Sequence, residues 1–114
     1  MTHFVPFPMQ HLEAACRVLG DTEHGLTGPQ IGRLLKEIGL SDPCQTMTKW
    51  KRLFRALVSA QKRYRVGNHL VMLINHAARD PGGFRWCPDE LTVVLSCSGL
   101  YVRKDGRVAY LANR

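Results

Sequence analysis

Residues 48–65, TKWKRLFRALVSAQKRYR, hold seven basic side chains and no acidic one. Lysine and arginine at this density are what a polyanion needs, so Lys49, Lys51, Arg52, Arg55, Lys62, Arg63 and Arg65 are candidate contacts to nucleic-acid phosphates. Arg103, Lys104 and Arg107 form a second basic group near the C-terminal end, placed to bracket a duplex with the first. The one-sidedness extends further, because no Asp or Glu occurs from Pro43 to Arg79. Ordinary surface helices mix signs to gain i,i+4 pairs, and this stretch does not. The whole chain, with 16 Lys and Arg against 9 Asp and Glu and a net charge of +7, favours acidic partners. The plainer explanation is that a helix needs a polar face and that Lys and Arg are good helix formers.

Other chemistry is thinner. Trp50, Phe54 and Tyr64 share a helical stripe with Leu53 and Leu57, which makes them core residues before base-stacking platforms. Trp86 sits in a glycine-rich loop beside Phe84 and Arg85, either exposed to a partner or pinning the loop to the core. His69 and His76 stand seven residues apart on one expected helix, too far for one metal without a third ligand. Arg63 and His69 match the short Arg-to-His spacing of the higher eukaryotic and prokaryotic nucleotide-binding ribonucleases, a spacing that chance supplies readily in a chain this rich in arginine. No Ser/His/Asp set, phosphate-cradling glycine loop or paired carboxylate is visible, so a non-enzymatic protein without a cofactor is expected. Cys16, Cys44, Cys87 and Cys97 lack the spacing of a zinc site and read as reduced thiols, mostly buried.

The elements that must carry these residues are mainly helical. Residues 9–19 place Leu12, Cys16 and Leu19 on one face, with Gly20 to end the turn. LTGPQIGRLLKEIGL has Thr27 and Gln30 at capping-box positions, Ile31, Leu34, Leu35 and Ile38 at helical spacing, and Gly39 and Leu40 as a Schellman-type stop. The next helix starts near Thr46 or Thr48. At 100° per residue, Trp50, Leu53, Phe54, Leu57, Gln61 and Tyr64 fall within about 60° of one direction, which predicts the core face. Asn68 is a candidate N-cap for a helix through Ala78 built on Leu70, Leu73, Ile74 and Ala77. DPGGFRWCP reads as a loop, and Pro88, Asp89 and Glu90 suit the first turn of a fifth helix with Leu91, Val94 and Leu95 inside. LYVRKDGRVAYL predicts a hairpin turning at Asp105 and Gly106. The expectation is one mainly α domain over residues 1–114: about five helices in a compact bundle with a C-terminal β-hairpin, and a winged-helix arrangement as a possible variant. The long link after Gly39 and the late hairpin both argue against that variant. The apolar run at residues 70–74 is too short to span a bilayer and the first ten residues lack a signal-peptide pattern, so a cytoplasmic protein with no membrane association is expected.

The residues LTGPQIGRLLKEIGLSDP, TKWKRLFRALVSAQ and GNHLVMLINHAARDP, with SGLYVRKDGRV near the end, resemble the N-terminal region of Ymh-like abortive-infection proteins of bacteria and phages, over about residues 26–108. The resemblance implies a setting in phage defence or mobile elements. It also implies that an activity housed in those proteins' second helical domain is absent here, and it carries no catalytic residues over. Two function classes follow from the sequence. One is a nucleic-acid-binding module, for DNA or RNA; the other is a protein-interaction or oligomerisation module that positions a partner or effector domain. Convergence of the basic residues on one exposed face would mark the first, and an exposed apolar patch the second.

Overall fold

Thr27 caps the most strongly signed helix as its sequence predicts. Its hydroxyl accepts the Gln30 backbone N–H at 3.2 Å, and the Gln30 side chain accepts the Thr27 N–H at 2.9 Å, so two otherwise orphaned donors are satisfied reciprocally. This helix, Gly28–Glu37, stops in a Schellman turn: Gly39 takes φ +81° and the Leu40 N–H reaches back to the Leu35 carbonyl at 2.8 Å. The structure, a computed structural model, describes residues 3–80, 86 and 88–111. In chain order the helices are α1 (Met9–Leu19), α2 (Gly28–Glu37), α3 (Lys49–Tyr64), α4 (Asn68–Ala78) and α5 (Pro88–Leu95). A short 3-10 turn, Ser96–Ser98, leads to an antiparallel hairpin of β1 (Leu100–Val102) and β2 (Val108–Tyr110). The mainly α bundle with a C-terminal hairpin is therefore as the sequence predicts.

One apolar cluster unites the elements, with Leu12 and Leu19 of α1, Ile31, Leu34 and Leu35 of α2, Leu53 and Leu57 of α3, Leu73 and Ile74 of α4, and Leu91 and Leu95 of α5 fully buried. Helix α3 packs on α1, α2 and α4, while the hairpin rests on α4 and α5. Two side-chain bonds seat the hairpin: Asn75 accepts the Val108 N–H at 2.8 Å and Thr92 accepts the Val102 N–H at 2.9 Å. Its loop is longer than the two-residue turn that Asp-Gly suggests. Arg103 and Arg107 close it, and Gly106 at φ +88° supplies the left-handed residue of a bulged turn. The link between α2 and α3 occupies residues 38–48 and the hairpin does not flank α3, so the arrangement departs from a winged helix.

Several expectations are corrected. Asn68 does not cap α4; its side chain instead accepts the Phe4 N–H at 2.7 Å. Gln61 lies on the apolar stripe because its amide brackets the Phe7 main chain, accepting the N–H at 3.0 Å and donating to the carbonyl at 2.8 Å. These bonds bind the extended start of the chain along α3 and α4. Gly20 ends α1 at φ −102°, a conformation any residue adopts, and its real constraint is steric: a Cβ there would lie 2.7 Å from the Trp50 backbone nitrogen. Trp86 is 3 % exposed and belongs to the core. Phe84, Arg85 and Cys87 lie outside the described residues. Cys16 is buried, and burial pushes its thiol pKa well up, whereas Cys44 and Cys97 are exposed, contrary to the expectation of mostly buried thiols.

Candidate nucleic-acid interface

The buried residues of α3 are Arg52, Leu53, Ala56, Leu57 and Ala60. Their mean direction lies about 80° from the one that the Trp50, Leu53, Phe54, Leu57, Gln61 and Tyr64 stripe predicts. The helix is turned, and four residues change role as a result. Tyr64 is 53 % exposed, and Trp50 and Phe54 are only partly buried. Arg52 turns inward to 4 % exposure. Its Nε donates to Asp42 Oδ1 at 2.8 Å, its second terminal nitrogen to the other Asp42 oxygen, and its Nη1 to the Gly28 carbonyl at 3.1 Å. The guanidinium beside Asp42 holds that carboxyl below the usual carboxylate range, chiefly by hydrogen bonding. Arg52 is thus a brace between α3, the start of α2 and the link between them, and it is withdrawn from the set of phosphate contacts.

Lys49 is also engaged. Its ammonium donates to the carbonyls of Asp21 at 2.8 Å and Leu26 at 2.7 Å, tying the α1–α2 link to the first turn of α3. Lys51, Arg55, Lys62, Arg63 and Arg65 are exposed, and among the described residues none of them joins an ion pair. Two hollows share these cations. The larger, about 550 Å³, is an open groove on the outer face of α3 whose floor is Met47, Trp50, Phe54 and Val58 and whose rim is Lys51, Arg55, Ser59 and Lys62. The smaller, about 230 Å³, lies between α3 and the end of α2, with Arg55, Ser59 and Arg63 facing Gly39, Leu40 and Ser41. Arg55 stands between the two.

Within the groove the Trp50 and Phe54 ring centroids are 6.3 Å apart with planes tilted by 55°. The Arg17 guanidinium of α1 covers Trp50 at 4.0 Å, and the Lys51 ammonium lies 5.8 Å from the same ring. Arg63 and His69 both pack against Tyr64, at 5.6 Å and 5.2 Å, and burial lowers the His69 pKa. The hairpin cations occupy a different part of the surface. Arg103 pairs with Asp105 at 3.2 Å, and Lys104 and Arg107 are exposed at the tip of a hairpin carried by α4 and α5. Of the ten predicted contacts, the structure gathers Lys51, Arg55, Lys62 and Arg63 along α3 and leaves Arg65 just beyond its end.

The apolar floor is what the sequence reading missed. Ala56 and Ala60 carry the signal, since small residues at i,i+4 beside Leu53 and Leu57 complete a continuous buried stripe that leaves Trp50 and Phe54 at its edge. Such a surface can hold anions along its rim and flat apolar groups on its floor. Among the described residues no three of His, Cys, Asp and Glu gather where they could hold a metal ion, and no helix is long and apolar enough to cross a membrane. Compared with known proteins, the chain matches no family model, no curated protein and no solved structure.

Proposed function

We propose that the chain is a non-enzymatic nucleic-acid-binding module whose contact surface is the outer face of α3. The observation that carries this reading is the set of exposed cations along α3, Lys51, Arg55 and Lys62 on one edge and Arg63 beside Arg55, continued by Arg65, with no carboxylate paired to any of them among the described residues. Unpaired cations in a row retain the counterion-displacing charge that a phosphate backbone exploits. The hairpin tip, with Lys104 and Arg107, is a secondary contact at most, because Asp105 already engages Arg103. A binding role of this kind fits the N-terminal position in phage-defence proteins that the sequence resemblance suggests.

The test is fluorescence anisotropy with labelled DNA and RNA of mixed sequence at low salt. Binding is expected for the wild-type chain, and the double variant Lys51→Glu, Arg55→Glu should weaken it at least tenfold for every sequence alike, since phosphate contacts position without specifying. Failure of the folded wild type to bind any nucleic acid at low salt would remove this reading. A second reading draws on the floor of the groove: Met47, Trp50, Phe54 and Val58 with a cationic rim would also accept an acidic amphipathic segment of a protein partner.

A further inference from the structure

We propose that the preferred ligand is single-stranded nucleic acid, whose unpaired bases stack on the Phe54 and Trp50 floor while its phosphates follow the Lys51, Arg55 and Lys62 rim. The inference rests on the nucleic-acid reading above and names the form of its ligand. A duplex hides the faces of its bases and offers α3 only phosphates, so it would leave the aromatic floor uncovered. A single strand presents both chemistries together, an anionic backbone and flat π-faces, and every base can stack. The groove supplies both in the matching order. At 100° per residue from Trp50, the floor residues Trp50, Phe54 and Val58 span roughly 0–80°, and Lys51, Lys62 and Arg55 follow at roughly 100–140°. The three cations therefore form one edge parallel to the floor, spaced along the helix axis by about 6 Å and then about 10 Å.

Charge complementarity favours an anionic occupant, because among the described residues no acidic one lines the groove. The character of the floor favours a base over an aliphatic side chain. Two rings 6.3 Å apart, one of them backed by the Arg17 guanidinium at 4.0 Å, make a π surface with a cation held behind it. Among the described residues no cation covers the Phe54 ring, which lines the groove and is the ring best placed to receive a base.

The experiment compares a labelled mixed-sequence single strand with the corresponding duplex, for wild type, Phe54→Leu and Phe54→Tyr. Intrinsic tryptophan emission is followed alongside, since Trp86 is buried and Trp50 lines the groove. The single strand should bind at least fivefold more tightly than the duplex and quench Trp50. Phe54→Leu, which keeps apolar bulk on the floor, should cost the single strand about tenfold and leave the duplex unchanged, while Phe54→Tyr keeps a ring and retains binding. Equal affinity for both forms with Phe54→Leu silent would overturn the single-strand inference and leave phosphate binding standing. No binding of either form overturns both proposals. An acidic amphipathic peptide that binds the groove when neither nucleic acid does would assign it to a protein partner instead.

Discussion

Arg52 shows how much one side chain's direction decides. Its charge makes it a plausible phosphate contact in the sequence, yet its three donated bonds to Asp42 and the Gly28 carbonyl make it a structural brace. Arg52→Ala is therefore expected to lower the unfolding free energy by about 2–4 kcal/mol, read by urea denaturation, because a largely buried ion pair loses one member. Lys51→Ala, on an exposed side chain that joins no ion pair among the described residues, should change stability by less than about 0.5 kcal/mol. The Asp42 carboxyl adds a pH signature of definite sign. Its folded pKa is depressed, so its contribution is present above the ordinary carboxylate value and is lost as pH falls through the lower, folded value. The stability difference between wild type and Asp42→Asn should hold from pH 7 to 5 and shrink below about pH 4. A difference that stayed constant to pH 2 would show that the pair does not stabilise the fold electrostatically.

At the scale of the element, α2 was fully legible and α3 only partly so. The boundaries of α2 rest on local chemistry, a capping box and a glycine stop, which neighbours cannot easily override. Helix α3 carries apolar residues over more than half its circumference, and periodicity alone does not say which part faces the core. That choice is made by tertiary contacts: Arg52 reaching Asp42, and the backbone of Gly20 lying against Trp50. Gly20→Ala should consequently destabilise by about 1–3 kcal/mol, since its Cβ would fall 2.7 Å from the Trp50 nitrogen, and should shift Trp50 emission as the start of α3 moves. The other end of α3 offers the opposite opportunity. Arg65 closes the helix in the left-handed region at φ +59°, with its N–H on the Gln61 carbonyl. Arg65→Gly removes the Cβ strain and should raise stability by about 0.5–1 kcal/mol in thermal or urea unfolding. The same change subtracts one exposed cation, so stability should rise while nucleic-acid affinity falls slightly.

For the molecule as a whole, the ten candidate cations, seven in the acid-free stretch and three on the hairpin, divide into separate tasks. Arg52 and Lys49 hold the helices together, the hairpin cations lie on another part of the surface, Lys51, Arg55 and Lys62 remain as one row, and Arg63 stands across Arg55 in the neighbouring hollow with Arg65 just beyond the helix end. That division sets the expected electrostatics of binding. If about three or four phosphates are neutralised, log K against log salt should slope at roughly −2 to −3 for a single strand and roughly −3 to −4 for B-form DNA. Reversing two cations of the row should flatten the slope, whereas Arg103→Glu at the hairpin tip should leave it nearly unchanged. Stacking on Phe54 is largely insensitive to salt, so Phe54→Leu should lower single-strand affinity by the same factor at every salt concentration and keep the slope intact. A Phe54→Leu line with a flatter slope, converging on wild type as salt increased, would mean that the ring acts by positioning the cations, and parallel lines would mean that it meets the base itself.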